Sequence, residues 1–533
     1  MQNKHGNIFN STLFLAVSSL ISQLLGFIRD KLLSHIYGAG FFLDSYYAAF
    51  RVPEFMYLSI GSFVSSAILV PLFSKKLYDE DRVIWFQKLL TTFAVFFIVV
   101  YGAVMIFLPY IIKHLYGHTE KAFQHSIVIY GSILLISTFF LSLSSIISSV
   151  SQQKRKFFAV GVAPILYNLG AVIGILFLRP FWGIGGVCVG VVLGSIMHLS
   201  VSMPVALKEG LFVGYLSFIN KAFSFSLLKQ TLKKSFLRTL SLIASAVTFF
   251  LLTYFASLYP VGSITIISLA FTLQTVFHTL IGVSYTTTIF PQLADAYVKG
   301  DHILFDSIFS RGFKKIFLIS IVLTALVILF RYEIVYILFG SGKFTNHDVL
   351  LTAGALGIFT ISLYAQNIIL LISRASYAKG DYILPLVTNA LSALLMYVFS
   401  FFAFNHLKGS FYTALSIPLS YSLAQYISLG VCLIIYHKNK VIKKPYLGFL
   451  YIFKIIVTIG IVAISSRYIL YVMLLGHRGI IIHLIFSFII FGFFLICSYV
   501  ILGMVHDKHI AEDRLYLKNT IKKSILALLP KFR

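Results

Sequence analysis

The amino-acid sequence predicts an all-α integral membrane protein with about fourteen transmembrane helices. They form two parallel six-helix lobes around a central cavity, plus two C-terminal helices. Three observations lead there. Hydrophobic residues make up 59% of the 533-residue chain and charged residues 11%, with a mean hydropathy of +0.93, which excludes a soluble globular domain. Apolar runs long enough to cross a bilayer follow one another with short polar connections, so no separate soluble domain fits. Motifs bearing proline and asparagine also recur about 220 residues apart.

The apolar runs fall at 9–36, 41–73, 84–112, 123–150, 157–178, 182–207, 236–258, 262–291, 312–334, 348–373, 382–405, 411–436, 449–472 and 480–504. The first follows a single lysine and carries no small-residue cleavage site, so it reads as a retained helix. A tight turn at Gly38-Ala39-Gly40 joins it to the second. Span five contains Pro164-Ile-Leu-Tyr-Asn168, echoed in span eleven by Pro385-Leu-Val-Thr-Asn389 about 221 residues later. Pro71, closing span two, is echoed by Pro291, closing span eight, about 220 residues on. Six spans, an even number, separate the copies, so both halves enter the membrane in the same direction. The expected division is an N-terminal lobe at 1–210, an amphipathic cytoplasmic linker at 211–235, a C-terminal lobe at 236–437, two extra helices at 438–505 and a basic tail at 506–533. In the linker Lys221, Lys229, Lys233 and Lys234 alternate with apolar residues, a pattern suited to the bilayer interface.

A net charge of +26 would suggest nucleic acid in a soluble chain, but here the membrane accounts for it. Placing the N-terminus inside assigns about 30 Lys and Arg to cytoplasmic segments and about seven to external ones. The inside clusters include Lys75, Lys76 and Arg82, then Lys154 to Lys156, Lys314 and Lys315, and Lys438 to Lys444, whereas Lys121, Arg179, Lys343, Lys408 and Arg478 scatter outside. Both termini are therefore expected in the cytoplasm, with the phospholipid bilayer and not nucleic acid as partner. Cys188, Cys432 and Cys497 lie in apolar segments without CxxC spacing and read as buried hydrophobes. With no Walker A loop, HExxH or Cys/His metal spacing, the chain is expected to be neither an enzyme nor a cofactor protein. Transport would then draw on an ion gradient, the membrane potential or substrate turnover.

Chemistry concentrates in the first helix pair, where Arg29, Asp30, Lys31, Asp44, Arg51 and Glu54 stand in apolar sequence. An ionisable group at membrane depth costs at least about 2.5–3.5 kcal/mol and so faces a partner or a wet cavity. Asp44 and Arg51, two helical turns apart, share one face with Tyr47 between them. One reading is an ion pair such as Arg29–Asp44 that joins two helices. The other is a wet cavity holding an anionic head group, with Arg29 and Arg51 gripping phosphate oxygens and Asp30 and Asp44 orienting them or switching. Gln274 and His278, one turn apart, share a face that could line this cavity. The alternative for them, as for Asn168, Gln366, Asn367 and Asn389, is hydrogen bonding to a neighbouring helix.

The run Leu25-Gly-Phe-Ile-Arg29-Asp30, then Tyr37-Gly-Ala-Gly40, then Leu43-Asp-Ser-Tyr-Tyr-Ala-Ala-Phe-Arg51-Val-Pro53, resembles the opening of the MurJ/MviN family of lipid II flippases. Arg374-Ala-Ser-Tyr377-Ala-Lys-Gly380-Asp381 with Pro385 looks like that family's R-A-F-Y-A-x-G-D-x-x-x-P, and Phe255-Ala-Ser257 with Gly262-Ser263 looks like its F-A-S…G-S. The resemblance covers nearly the whole chain. It implies the multidrug/oligosaccharidyl-lipid/polysaccharide exporter fold, a cationic cavity, and a groove for the lipid tail at the last two helices. Of four cavity arginines usual in the family, Arg29 matches one, while Gln23, Tyr57 and Thr272 stand at the others. Leu252 replaces a carboxylate that some members use for sodium, and Arg51 compensates for lost charge.

The implied function is a monomeric flippase in the bacterial cytoplasmic membrane that moves undecaprenyl-pyrophosphate-linked peptidoglycan precursor by alternating access. The expected substrate-binding set is Gln23, Arg29, Asp30, Asp44, Arg51, Thr272, Gln274 and His278. The missing arginines leave room for another polyprenyl-linked glycan. A third alternative is a cation or drug antiporter of the same superfamily, using Asp30 or Asp44 as its proton-coupled site. The sign of the cavity discriminates, and basic residues in the first two helices at least equal the acids, which favours the lipid.

Overall fold

A computed structural model of the chain describes residues 2–64, 69, 81–154, 156–215, 223–407 and 411–438. The first half comprises α1 (Gln2–Tyr37), α2 (Phe41–Ser59), α3 (Arg82–Leu115), α4 (Lys121–Gln153), α5 (Phe157–Ile173) and α6 (Arg179–Lys208). The second comprises α7 (Phe225–Ala256), α8 (Ser263–His278), α9 (Ser284–Val298), α10 (His302–Phe339), α11 (Asn346–Ile361), α12 (Leu363–Ala378), α13 (Ile383–His406) and α14 (Ser416–Lys438). No strand occurs among the described residues. Outward faces are apolar, as on α3, where Ile98, Val99, Ile106 and Phe107 are exposed, the arrangement lipid requires.

Eight described helices are long and apolar enough to cross a membrane, or nine if the pair α11–α12, bent by 42° at Ser362, counts as one. The expected spans 449–472 and 480–504, the basic tail, and Pro71 lie outside the described residues. Spans five and six run on as one apolar stretch, Phe157–Lys208, with a five-residue π turn at Gly174–Leu178. Gly183, at φ 55° and ψ −134°, reverses its direction, a backbone state that L side chains avoid. The two arms then pack antiparallel through glycines. A Cβ on Gly170 would lie 2.2 Å from Gly194 Cα, and one on Gly190 would lie 2.4 Å from Gly174 Cα. Small residues at four-residue spacing let backbones touch where lipid supplies no hydrophobic drive.

The sequence repeat reappears as a repeated contact. On α5, Asn168 Nδ2 donates to the Ser22 carbonyl and hydroxyl of α1 at 3.1 and 3.0 Å. On α13, Asn389 Nδ2 donates to the Ser241 carbonyl and hydroxyl of α7 at 3.3 and 3.1 Å. The partners are separated by 146 and 148 residues respectively, so the two halves build the same helix pair with the same amide. Neighbouring pairs repeat too: α5 packs on α6, and α13 on α14.

Within the basic linker, helix α7 begins at Phe225, with the Ser224 hydroxyl accepting from the Leu227 amide as its cap, and its apolar span begins at Ser235. Polar side chains on α3 anchor both described ends of the linker. Gln87 donates to the carbonyls of Leu211 and Val213, Thr91 bonds the Tyr215 hydroxyl, and Thr92 accepts from the Ser224 amide.

Helix α1 ends at the Gly38 turn, and the segment that follows α10 lies against that turn. Gly38 itself has φ 67°, and a Cβ there would lie 2.5 Å from the Lys343 carbonyl oxygen of the other half. The halves are tied together at this end. Lys31 Nζ donates to the Ile337 carbonyl at 2.9 Å, the Lys343 amide donates to the His35 carbonyl at 2.9 Å, and His118 Nε2 meets Ser257 Oγ at 3.0 Å.

Candidate functional site

A cavity of about 360 Å³ lies against α1, α2, α4, α5 and α8, lined among others by Arg29, Tyr46, Tyr47, Arg51, Glu54 and Thr272. Its floor is α2, whose inward face carries the two neighbouring tyrosines and, a turn further on, Arg51 and Glu54. Tyr57, at a position where the family resemblance expects arginine, also lines it, as does Tyr167 of α5.

Each guanidinium is matched by a carboxylate. Arg29 donates from Nε to Asp30 Oδ1 at 2.9 Å and approaches the same oxygen with Nη2 at 2.8 Å, and Asp30 is buried. Arg51 Nη1 donates to Glu54 Oε2 at 2.7 Å. Its other donors cross to the second half, Nε to Thr253 Oγ1 of α7 at 2.6 Å and Nη2 to Ser268 Oγ of α8 at 3.3 Å. Arg51 is thus a wall of the cavity and a tie between halves at once. The buried hydroxyls of Tyr46 and Tyr47 make no hydrogen bond among the described residues, an arrangement that normally costs about 1–3 kcal/mol per group unless a ligand or water answers it.

Asp44 bonds across the seam to the second half. Its carboxylate accepts from the Gly262 amide at 2.6 Å, the Thr265 amide at 2.8 Å and the Thr265 hydroxyl at 2.6 Å. The acid therefore caps the N-terminus of α8 across the seam, where the helix dipole favours negative charge. Asp44 and Arg51 do share a face of α2, as their spacing indicates, but the face looks at α7 and α8. The joining pair Arg29–Asp44 is replaced by Arg29–Asp30, because the adjacent carboxylate reaches the guanidinium without leaving its helix.

The remaining predicted residues divide. Thr272 lines the cavity, its hydroxyl turned to the Ser268 carbonyl at 2.9 Å. Gln23 does not line it and bonds Ser19 Oγ at 3.4 Å along α1. Gln274 is fully buried, and its amide makes no hydrogen bond among the described residues. His278 belongs to a second cavity and meets Asn367 Oδ1 through Nδ1 at 2.7 Å, the neighbouring-helix bond that its sequence context also allowed. Lys31 and Asp44 turn to the seam, while Arg29 pairs with Asp30 and Arg51 with Glu54, so basic and acidic groups of the first helix pair balance, as the sequence count of at least equal numbers allows. Sequence reasoning missed Tyr46, Tyr167 and the acceptors Thr253 and Ser268, because hydroxyls in apolar helices look like any packing residue. The glycine Gly262 followed by Ser263 and Thr265 was the one readable sign of an N-terminus awaiting a cap.

Sequence comparisons with known proteins agree on one family. A family model described as lipid II flippase MurJ matches residues 33–491. The probable lipid II flippase MurJ of Buchnera aphidicola subsp. Schizaphis graminum is 25% identical over 473 residues, covering 87% of this chain and 90% of that protein. The lipid II flippase MurJ of Burkholderia cenocepacia is 24% identical over 421 residues, covering 77% and 81%. Among solved structures, a lipid II flippase MurJ in an inward closed conformation superposes with a TM-score of 0.74 at 21% identity, over 92% of this chain and 99% of that one. An inward-facing multidrug resistance MATE family transporter of the MOP superfamily gives 0.63 at 14% identity, over 81% and 98%.

Proposed function

This chain belongs to the lipid II flippase MurJ family and is itself a lipid II flippase, and we propose that it works by alternating access around the Arg29–Arg51 cavity. It is an integral membrane transporter whose substrate is a lipid-linked peptidoglycan precursor. The observation that carries the mechanism is the cavity itself: two guanidiniums, each held by a neighbouring carboxylate, beside two buried tyrosine hydroxyls with no bond of their own among the described residues. A pyrophosphate offers the oxygens these donors lack, and a doubly charged anion outcompetes a single carboxylate for a planar guanidinium. Tyrosine hydroxyls thereby take over part of what arginine would do at Tyr57 and its neighbours.

The bias of basic residues puts both termini and the Lys154 end in the cytoplasm, and the Gly38 end outside. The contacts of Asp44, Arg51, Lys31, His35 and His118 then close the external side of a carrier whose lobes are 1–210 and 236–437. When pyrophosphate draws Arg51 away from Thr253 and Ser268, one tie of that closure is lost, which couples loading to external opening. A membrane potential or ion gradient sets the direction of the cycle, and the carrier works as a monomer. Asp44 is bound by three donors and Asp30 by Arg29, which supports the lipid reading over the antiporter. Another polyprenyl-linked glycan remains the competing substrate, favoured by neutral Tyr57 and Thr272 in the lining. The deciding experiment depletes a bacterium of its own lipid II flippase and supplies this chain. Rescue of growth is expected, whereas continued lysis despite membrane insertion would turn the assignment to another lipid-linked glycan.

A further inference from the structure

A second cavity of about 360 Å³ lies inside the second half, among α7, α8, α12, α13 and α14. Its lining includes His278, Gln366, Asn389, Gln425, Phe271 and Tyr421. The repeat makes it the counterpart of the first: the offset that carries Asn168 onto Asn389 also carries Phe50, Glu54 and Tyr57 of the first cavity onto Phe271, Thr275 and His278 of the second. Equal in size and position, the two differ in chemistry. The first is ionic. Among the described residues the second is lined by three side-chain amides, several hydroxyls and aromatic rings, with one guanidinium, Arg374, and no carboxylate.

The lining is built and not merely porous. Gln425 Nε2 donates to Ser392 Oγ at 2.9 Å, Gln366 Nε2 to Ser362 Oγ at 2.7 Å, and Asn389 is held by Ser241. Phe271 and Tyr421 stand edge to face with centroids 5.5 Å apart. Amides and hydroxyls both donate and accept, as sugar hydroxyls do, and fixed rings cover the apolar face of a pyranose. Among the described residues a cation would find no carboxylate here, and a phosphate only one arginine. The cavities are also neighbours. Thr272 lines the first and Thr275 the second, three residues or about 4.5 Å apart along α8.

We propose that this second cavity is a sugar-binding subsite, taking the glycan that follows the pyrophosphate held at Arg29 and Arg51. The assignment rests on the flippase reading above. It gives each half of the repeat its own part of one head group, the charged linkage in the first and the neutral hydroxyl-rich ring in the second. Specificity for what the lipid carries then resides in the amides of α12 and α14, away from Arg29 and Arg51.

The test measures binding to the full-length protein in nanodiscs of two probes, undecaprenyl pyrophosphate and the same lipid carrying the disaccharide without peptide. Gln366→Leu and Gln425→Leu each remove one neutral hydrogen-bonding group and should weaken the glycosylated probe by about three- to tenfold. Both variants should hold undecaprenyl pyrophosphate as wild type does, which also reports that they fold. Arg29→Ala should weaken both probes alike. Equal loss of both probes in the glutamine variants, or no loss of either, overturns the subsite. So does a wild type that binds the two probes equally well, a result that would leave the pyrophosphate reading standing. Binding of neither probe to the wild type would remove both readings together.

Discussion

Replacing Asp44 with asparagine should loosen the Gly38 end of the molecule without touching the cavity. The carboxylate now accepts three hydrogen bonds within 2.8 Å from the first turn of α8. Asparagine keeps one acceptor oxygen but turns an NH₂ group toward the Gly262 and Thr265 donors, so at least one buried N–H loses its partner at a cost of about 1–3 kcal/mol. Loss of the negative charge at a helix N-terminus adds about 0.3–1 kcal/mol, more where the site is buried. A total near 3 kcal/mol shifts the balance between the closed and open seam on the order of a hundredfold. Spin labels at Phe42 and Val261, both exposed on opposite sides of this seam, would report the change as a longer distance population by pulsed electron resonance. An unchanged distance distribution in Asp44→Asn, with the protein still folded, would refute the view that this cap holds the halves together.

Three further outcomes follow from the same geometry. Gly190→Val forces a side chain into the Gly174 backbone, so the α5–α6 hairpin should separate and thermal stability in detergent should fall by several degrees, whereas Gly102→Val, where a Cβ meets nothing within 4 Å, should be neutral. Partial desolvation at the seam holds His118 below the ordinary imidazole value, its bond to Ser257 opposing the shift. Its proton therefore binds more tightly when the seam opens. Acidifying from pH 7 through the ordinary histidine range should favour the open seam, levelling off below the depressed value, and His118→Gln should flatten that dependence in the same spin-label measurement. Arg51→Lys keeps the charge but cannot reach Thr253, Glu54 and Ser268 together, so it should lower transport by about tenfold and populate the open seam even without substrate.

The fold was legible in the sequence because lipid enforces it: apolar length, proline placement and the glycine turn at Gly38–Gly40 leave few arrangements of the backbone. The repeat was legible for a similar reason, since Asn168 and Asn389 do the same job in each half. Partners of individual charges were harder. The spacing of Asp44 and Arg51 correctly gave one face, but spacing along α2 contains nothing about which helix that face meets. That depends on how the second half docks, and Thr253, Thr265 and Ser268 carry no mark that distinguishes them from packing residues. The anchors of the linker on α3 were equally hidden, because Gln87, Thr91 and Thr92 lie 124 to 132 residues from their partners.

The central claim is that Arg29 grips the pyrophosphate of the transported lipid, and flipping of lipid II in vesicles holding the purified protein tests it most directly. Wild type should expose lipid II on the opposite leaflet. Arg29→Ala should reduce that exposure by at least about a hundredfold with insertion unchanged, since a charge-assisted bidentate contact is lost. Arg29→Lys should recover only part of it, an ammonium lacking the planar fork. Wild-type flipping by Arg29→Ala would contradict the account.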